Sequence, residues 1–280
     1  MKARKRFGQH FLVNGRVADR IVASADLAPG DTVLEIGPGR GILTGRLLES
    51  VQQVTAVEID RDLVGGLAER FGGLSGFRLI EGDILAMDLP ELFRGVSGRI
   101  RVVSNIPYNI SSPILELLLR NRALVSRAVL MMQKEVARRL TARPGSREFG
   151  LTTLNLGLCA CARSLFDVRP GSFLPPPEVM SSVVFIEFSP VCRFKLGNEA
   201  LFREITGAAF RHRRKMLRST LVPFLAERGM TGPDALRLLM DAGVDPELRP
   251  ERLGVEEFVR ITGAVDGMGR GRFKSDESSS

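Results

Sequence analysis

Residues 32–50 of the chain are TVLEIGPGRGILTGRLLES, and this stretch determines the fold class. Thr32 to Ile36 form an apolar run that predicts a buried strand, and Gly37 to Gly41 supply a glycine-rich turn. The next nine residues, 42–50, carry apolar side chains at helical spacing. A strand, a glycine turn and a helix in this order are typical of the first unit of a nucleotide-binding α/β sheet.

The glycine spacing distinguishes between classes of ligand. A dinucleotide fingerprint, Gly-x-Gly-x-x-Gly/Ala, requires a small residue at position 42, where this chain has Ile42. The interpretation as an oxidoreductase is weak for that reason, and because the chain offers no plausible His or Lys site for handling a hydride. Gly-x-Gly-x-Gly favours a nucleoside ligand without a pyrophosphate. The cofactor that we predict is S-adenosylmethionine.

Two further predicted strands end at acidic residues. Residues 54–57, VTAV, lead into Glu58, whose carboxylate is expected to accept hydrogen bonds from ribose hydroxyls. Residues 77–80, FRLI, lead to Asp83, which is expected to accept a hydrogen bond from the adenine amine of the cofactor. A carboxylate at the end of a strand is most often a solvated cap. Three acidic or glycine-rich strand ends in series nevertheless predict one ligand crevice at the carboxyl edge of a parallel sheet.

The tetrapeptide Asn105-Ile106-Pro107-Tyr108 follows a further apolar strand, IRVVS. The Asn105 side-chain oxygen and the Ile106 carbonyl can accept both hydrogens of an exocyclic amine on a flat base as its nitrogen becomes pyramidal. Tyr108 is the only tyrosine of the chain and is expected to stack on that base. The alternative is an Asn that ends a strand, followed by a turn Pro and a core Tyr.

Five sequence blocks resemble the rRNA adenine N6-dimethyltransferases and occur in that family's order. They are GQHFL at 8–12, EIGPGRG at 35–41, NIPYNIS at 105–111, QKEVARRL at 133–140 and FLPPPEV at 173–179. The resemblance implies that S-adenosylmethionine contacts His10, Leu12, Gly37, Glu58, Asp83 and Asn105. Many relatives carry Asn where this chain has His10, so the contact there can be made through the backbone or through a different donor.

The resemblance also assigns the residues around the reacting base. It implies that Asn105 and Tyr108 hold the target adenine and that Phe173 covers the other face of the base. The three prolines that follow Leu174 stiffen the backbone, which agrees with a ring presented at a fixed height. The alternative for Phe173 is a place in the core beneath a rigid loop.

The family contains two branches with different substrates. The blocks at 133–136 and 173–177, together with AFRHRRKMLRSTL at 209–221, favour the small-subunit maturation enzymes. Their implied reaction is dimethylation of the N6 amines of two adjacent adenosines in the 3′-terminal hairpin loop of 16S rRNA, with the small ribosomal subunit as partner. The alternatives are a large-subunit rRNA methyltransferase that confers antibiotic resistance and a non-catalytic RNA-binding assembly factor.

Charge suits a polyanionic partner. The 280 residues include 40 Lys and Arg against 32 Asp and Glu, a formal charge of +8. The basic residues cluster before the first motif and on a predicted helix near residue 213, although such a run is often only a solvated face. The residues that we expect to contact phosphates are Lys5, Arg6, Arg211, Arg213, Arg214 and Lys215.

The remaining composition excludes several classes of protein. Three cysteines fit neither a disulfide framework nor a zinc spacing, so we expect a reducing, cytoplasmic location. Only two histidines are present, and no metal is predicted. No apolar run approaches the roughly 18 residues of a membrane span. Nothing in the chain demands a dimer, and a monomer is expected.

The pattern along the chain predicts an α/β fold, a Rossmann-like methyltransferase sheet with a small C-terminal all-helical domain. The predicted divisions are a catalytic domain at 1–190 with a basic N-terminal arm, a helical RNA-binding domain at 191–265 and a disordered tail at 266–280. Residues 183–188 are predicted to form a late strand. The predicted helices of the second domain span 199–211, 213–228, 233–242 and 255–264.

Overall fold

The structure of this chain is a computed structural model that describes residues 9–276, with side chains as far as Met268. Lys5 and Arg6, which are predicted to contact RNA, lie outside the described residues. The chain divides into two compact units. The first contains the chain up to Arg138 together with Cys159–Val191, and the second contains Arg139–Leu158 and the chain from Cys192 onward.

The first unit is built around a mixed β-sheet. Its strands are β1 (Phe11–Leu12), β2 (Thr32–Ile36), β3 (Gln53–Glu58), β4 (Phe77–Glu81), β5 (Ile100–Asn105), β6 (Val125–Gln133), β7 (Ala160–Val168), β8 (Phe173–Leu174) and β9 (Ser181–Phe188). Seven of them form one sheet in the order β4-β3-β2-β5-β6-β9-β7. Strands β2 to β6 pair in parallel, and β9 pairs antiparallel with both β6 and β7.

Helices pack against this sheet and complete the first unit. They are α1 (Gly15–Ala23), α2 (Ile42–Ser50), α3 (Arg61–Phe71), α4 (Leu89–Leu92), α5 (Ser111–Arg120) and α6 (Lys134–Leu140). The core side chains Val33, Val54 and Val103 come from three neighbouring strands and pack with Leu47 of α2. Strands buried in this way have nearly continuous apolar sequences, which is why the local pattern predicted them.

A separate two-stranded ribbon joins two distant motifs. Strand β1 pairs antiparallel with β8, so that Phe11 lies opposite Leu174 and Leu12 lies opposite Phe173. Both Leu12 and Phe173 are buried and belong to the core of the first unit. The segment before α1 is therefore fixed against the loop that precedes β9.

The second unit is helical in the part of the chain that the structure describes. Its helices are α7 (Leu151–Cys159), α8 (Glu199–Arg211), α9 (Leu217–Ala226), α10 (Gly232–Asp241) and α11 (Val255–Asp276). Its core includes Phe202, Leu221 and Leu238, and the rings of Phe210 and Phe258 lie 6.1 Å apart. Between residues 9 and 276, no helix has both the length and the apolar character needed to cross a membrane.

The predicted α/β fold with a helical C-terminal part is confirmed, and two stretches match residue for residue. Strand β2 covers the predicted 32–36, and α2 covers the predicted 42–50. The division of the chain differs from the simple boundary at 190, because 139–158 joins the helical unit. The Gly145 N–H donates to the Glu251 carbonyl at 2.7 Å, and the Arg193 N–H donates to the Leu158 carbonyl at 3.0 Å.

Two helix boundaries also differ from the prediction. Helix α9 begins at Leu217 rather than at residue 213, and α11 continues to Asp276 although disorder was predicted from residue 266. Phe258, Ile261 and Val265 are buried and fix the first turns of α11, after which each added residue extends an existing helix at little cost. Residues 277–280 lie outside the described residues.

Gly41 provides a test of the turn that connects β2 to α2. Its φ is +75°, and a Cβ there would lie 2.5 Å from Cε2 of Phe71. We expect Gly41→Ala to lower the free energy of unfolding by about 1–3 kcal/mol, because left-handed strain and a steric clash act together. Urea unfolding measures the change.

Gly65 is the matched control for this substitution. It is exposed within α3, and a Cβ there would meet nothing within 4 Å. Gly65→Ala is therefore expected to leave the stability unchanged or raise it by about 0.5–1 kcal/mol. Equal effects of the two substitutions would contradict the assigned geometry of the turn.

Candidate active site

A cavity opens at the carboxyl edge of the parallel strands in the first unit. The empty space within it is about 920 Å³, a value that includes solvent at its open mouth. The walls come from β1, the β2–α2 turn, the ends of β3 and β4, and the residues after β5. The predicted site residues that line it are His10, Leu12, Gly37, Glu58, Asp83, Asn105 and Tyr108.

The glycine turn presents backbone to the cavity. Gly37 and Gly39 have φ values of +65° and +58°, which favour residues without a Cβ. The Gly37 N–H donates to the Val57 carbonyl at 2.9 Å, and the Gly39 N–H donates to Glu58 Oε2 at 3.0 Å. A Cβ on Gly39 would lie 3.1 Å from the Phe11 ring. The turn is therefore tied to β3 and has little room for a side chain.

Glu58 is buried at the end of β3 and uses both oxygens locally. Besides the bond from Gly39, its Oε1 accepts from the Asp60 N–H at 3.0 Å. Burial raises the pKa of Glu58, and the two backbone donors partly oppose that rise. An ionised carboxylate offers about four acceptor positions, so these two bonds leave capacity for a ligand hydroxyl.

Glu35 is a cavity residue that the sequence analysis did not single out. It is 1% exposed in β2, and Thr44 Oγ1 donates to its Oε2 at 2.7 Å. Burial is the main reason that the pKa of Glu35 rises from 4.5 to about 8, and the nearby charge of Glu58 adds to the rise. A glutamate inside an otherwise apolar strand was the available signal, since such residues are rarely buried without a role.

Asn105 and Asp83 are positioned by their own hydrogen bonds. Asn105 ends β5, and its Nδ2 donates to the His10 carbonyl at 3.2 Å. This bond directs the amide nitrogen toward the backbone of residue 10 and leaves the side-chain oxygen as an acceptor. Asp83 is exposed, and its Oδ1 accepts from the Leu85 N–H at 2.9 Å.

Tyr108 contacts His10 and Ser181. The Tyr108 and His10 rings stack with 5.5 Å between centroids and 28° between planes. The Tyr108 hydroxyl shares a hydrogen bond with Ser181 Oγ at 2.5 Å. Burial raises the pKa of Tyr108, and the bond to Ser181 partly opposes that rise. His10 Nδ1 also lies 2.9 Å from the Pro175 carbonyl, which fixes the imidazole against the proline loop.

Phe173 lies elsewhere than the resemblance implied. It was expected to cover one face of a base, but its side chain is 3% exposed and packs in the core with Leu12 and Val183. Pairing with β1 places Phe173 opposite Leu12, and both side chains point into the core. Leu174, the other residue of β8, is the exposed one, with 52% of its surface accessible. The structure therefore supports the alternative that Phe173 is a core residue.

The predicted RNA-binding residues of the second unit lie at the end of α8 and in the turn that follows it. Helix α8 ends at Arg211 and α9 begins at Leu217. Arg211, Arg214 and Lys215 are exposed, whereas Arg213 is half-buried.

Arg213 differs from its neighbours because it is bonded within the second unit. Its Nε donates to Glu251 Oε2 at 2.9 Å, and its terminal nitrogen donates to the carbonyls of Ser146 and Arg147. The guanidinium of Arg213 therefore holds three segments of the unit together, and its contact with phosphate stays a prediction.

Comparison with known proteins identifies relatives along nearly the whole chain. The family model for ribosomal RNA adenine dimethylase matches residues 1–261. Ribosomal RNA small subunit methyltransferase A from Magnetococcus marinus is 43% identical over 257 residues, covering 92% of this chain and 90% of the relative. The protein with the same description from Pseudomonas fluorescens is 42% identical and covers 93% of each chain.

Solved structures agree with the fold of both units. A dimethyladenosine transferase from Plasmodium falciparum has a TM-score of 0.78 and 26% identity, covering 93% of this chain and 98% of its own. The 23S rRNA methyltransferase ErmE has a TM-score of 0.70 and 25% identity, covering 91% of this chain and 99% of its own. The similar proteins therefore include two that are described as small subunit methyltransferases, at 43% and 42% identity. They also include one that is described as a 23S rRNA methyltransferase, at 25% identity.

Glu35 gives the unfolding equilibrium a defined pH dependence. The pKa of its carboxyl rises from 4.5 to about 8 on folding. Between these values the unfolded chain is ionised while the folded chain keeps the proton, so the stabilising contribution is full below the lower value and is lost as pH rises through the upper one. Glu35→Gln removes this titration and keeps an acceptor for Thr44.

We expect the stability of the Gln variant relative to the natural chain to increase between pH 5 and pH 8, by up to about 4 kcal/mol. Urea unfolding at both pH values measures the difference, and Glu49→Gln on the exposed surface of α2 is the control. A constant difference between the natural chain and Glu35→Gln across this range would show that Glu35 is not protonated in the folded state.

Proposed function

Because this chain belongs to the ribosomal RNA adenine dimethylase family, we propose that it dimethylates the N6 amines of two adjacent adenosines in small-subunit rRNA, with S-adenosylmethionine as methyl donor. The target adenosines are those of the 3′-terminal hairpin loop of 16S rRNA. The observation that carries the proposal is the meeting of Asn105, Tyr108, the glycine turn and Glu58 in one cavity.

The polar residues that line the cavity fit S-adenosylmethionine. Glu58 would accept from the ribose hydroxyls, Asp83 would accept from the adenine amine, and the bare backbone at Gly37, which also lines the cavity, would allow a close approach. His10 and Leu12 complete this wall from β1. When bound, the cofactor supplies an electrophilic methyl group carried by a sulfonium.

The residues after β5 prepare the target amine. The nitrogen lone pair is delocalised into the adenine ring and must be localised before the nitrogen can attack. The Asn105 oxygen and the Ile106 carbonyl accept the two amine hydrogens as the nitrogen becomes pyramidal. Asn105 is uncharged and is not a base, so the amine loses its proton after the methyl group has been added.

Tyr108 provides the face on which the target base stacks. Its ring lines the cavity two residues after Ile106, so a base stacked there has its amine close to the two acceptors. The base must leave its own stack to reach this position, and base flipping is the established way for enzymes to expose such an amine. We do not assign this role to Phe173, because its side chain is buried in the core.

The helical unit contributes phosphate contacts. Arg211 at the end of α8 and Arg214 and Lys215 in the following turn are exposed and can approach an RNA backbone without reading its sequence. This unit is the RNA-binding part of the proposed enzyme, with the first unit as its catalytic part. We place the reaction in the cytoplasm, where the rRNA is found, and propose a monomer.

Large-subunit rRNA is the second candidate substrate, since ErmE has a similar fold. Transfer of labelled methyl groups from S-adenosylmethionine to unmethylated small subunits, large subunits and naked rRNA distinguishes the candidates. We expect label in small subunits, recovered by nucleoside analysis as N6,N6-dimethyladenosine. Asn105→Ala is expected to lower the transfer rate by about 100-fold or more, because it removes an acceptor used in the transition state.

Two results would contradict the proposed function. Label in large subunits alone would assign the chain to the resistance enzymes. No label in any substrate, with small-subunit binding retained, would favour the non-catalytic assembly factor.

Substitutions in the turn between α8 and α9 distinguish residues that contact RNA from residues that stabilise the fold. We expect Arg214→Ala and Lys215→Ala to weaken binding to unmethylated small-subunit rRNA, and each to lower the slope of log affinity against log salt by about 1. Neither change should alter the unfolding midpoint, because both side chains are exposed. Filter binding at several salt concentrations measures the slope.

Arg213→Ala is the contrasting variant. Its loss leaves Glu251 and two backbone carbonyls without their donor, so we expect the free energy of unfolding to fall by about 1–3 kcal/mol. A lower salt slope with unchanged stability would instead return Arg213 to the RNA-binding set.

A further inference from the structure

Ser181 is a buried hydroxyl aimed at the predicted base-stacking residue. It begins β9, is 0% exposed, and lies opposite Gln133 of β6 and Val168 of β7. Paired on both sides, this position cannot shift without breaking the sheet. Its Oγ lies 2.5 Å from the Tyr108 hydroxyl, across 73 positions of sequence.

The Tyr108 ring is held at two different places. The bond to Ser181 fixes the hydroxyl end, and the stacked His10 ring supports one face. His10 is itself fixed, because Asn105 Nδ2 donates to its carbonyl and its Nδ1 contacts the Pro175 carbonyl. The ring is therefore held at its hydroxyl end and on its His10 face, and Tyr108 lines the cavity in which a base is proposed to stack.

We propose that Ser181 is a positioning residue for methyl transfer, acting through the Tyr108 hydroxyl to fix the plane on which the target adenine stacks. This inference rests on the proposed function. Ser181 is not among the residues that line the cavity, so its effect on the reaction passes through Tyr108.

The physical reason is that the rate of methyl transfer falls steeply when the reacting atoms are displaced from their productive positions. A base stacked on Tyr108 takes its tilt from the ring, and a displacement of about 1 Å at the amine can cost on the order of 100-fold in rate. The second transfer is the more demanding one, since a monomethylated amine must take the same position with more bulk. A fixed ring serves both transfers.

A purely structural role for this bond predicts a different outcome. Burial raises the pKa of Tyr108, so its hydroxyl is neutral and requires a partner when half-buried. If that requirement were the whole purpose of Ser181, its loss would lower stability and leave the rate of the folded enzyme unchanged.

Single-turnover methyl transfer to unmethylated small subunits separates the two roles. The variants are Ser181→Ala, Tyr108→Phe and the double variant, because either single change removes the same hydrogen bond and keeps an aromatic ring at position 108. We expect each single variant to transfer about 10-fold more slowly. The double variant should be no slower than either single variant, since the interaction is lost once.

The matched control is Ser182→Ala on the same strand. Ser182 is also buried, but its Oγ donates to Asp167 Oδ1 at 2.5 Å. We expect this variant to keep the natural rate. S-adenosylmethionine affinity, measured by calorimetry, should be the same for all variants, and nucleoside analysis should find a larger monomethyladenosine fraction for Ser181→Ala and Tyr108→Phe alone.

The inference is overturned if Ser181→Ala and Tyr108→Phe transfer at the natural rate, or if their effects multiply in the double variant. Should Ser181→Ala fail to fold, Tyr108→Phe decides by itself, because it keeps Ser181 in the sheet. Absence of transfer by the natural chain would refute the proposed function, and with it this inference. Slow transfer by Asn105→Ala together with normal transfer by Tyr108→Phe would refute the inference alone.

Discussion

Parallel pairing of β2 with β3 and β5 is the constraint on which the rest of the site depends. The register places Ile36 beside Val57 and Leu34 beside Val102, so these strands end at one edge of the sheet. Gly37, Glu58 and Asn105 follow or end these strands and therefore line one cavity. The bond from the Gly39 N–H to Glu58 then fixes the glycine turn against β3, which joins the backbone wall of the site to its acidic wall.

The acidic wall is stable because its buried carboxyl groups have hydrogen-bond donors. Glu35 and Glu58 are 1% and 4% exposed, and burial raises the pKa of both. Thr44 donates to Glu35, while two backbone N–H groups donate to Glu58. Buried charge without such partners would cost several kcal/mol or more. The fold therefore keeps two buried carboxyl groups at the cavity at a tolerable cost in stability.

Some motif residues face the cavity, and others support the residues that face it. Phe173 belongs to a block that supports the family assignment and Arg213 to the segment that favours the small-subunit branch, yet Phe173 packs in the core and Arg213 binds Glu251. Ser181 follows the proline block and contacts Tyr108 rather than the cavity. A motif therefore identifies the region of a site more reliably than it assigns roles to individual side chains.

The sequence by itself determined the strand, turn and helix at 32–50, and it indicated the carboxylate and amide at the ends of β3 and β5. Apolar runs define such strands locally, and parallel strands bring their carboxyl ends to one edge, so Glu58 and Asn105 could be placed without coordinates. Only the tertiary structure decided that Phe173 is a core residue, that 139–158 joins the helical unit, and that Ser181 supports Tyr108. These features arise from contacts between residues far apart in the chain, such as the 73 positions between Tyr108 and Ser181, and a local pattern carries no information about which distant side chain will be its neighbour.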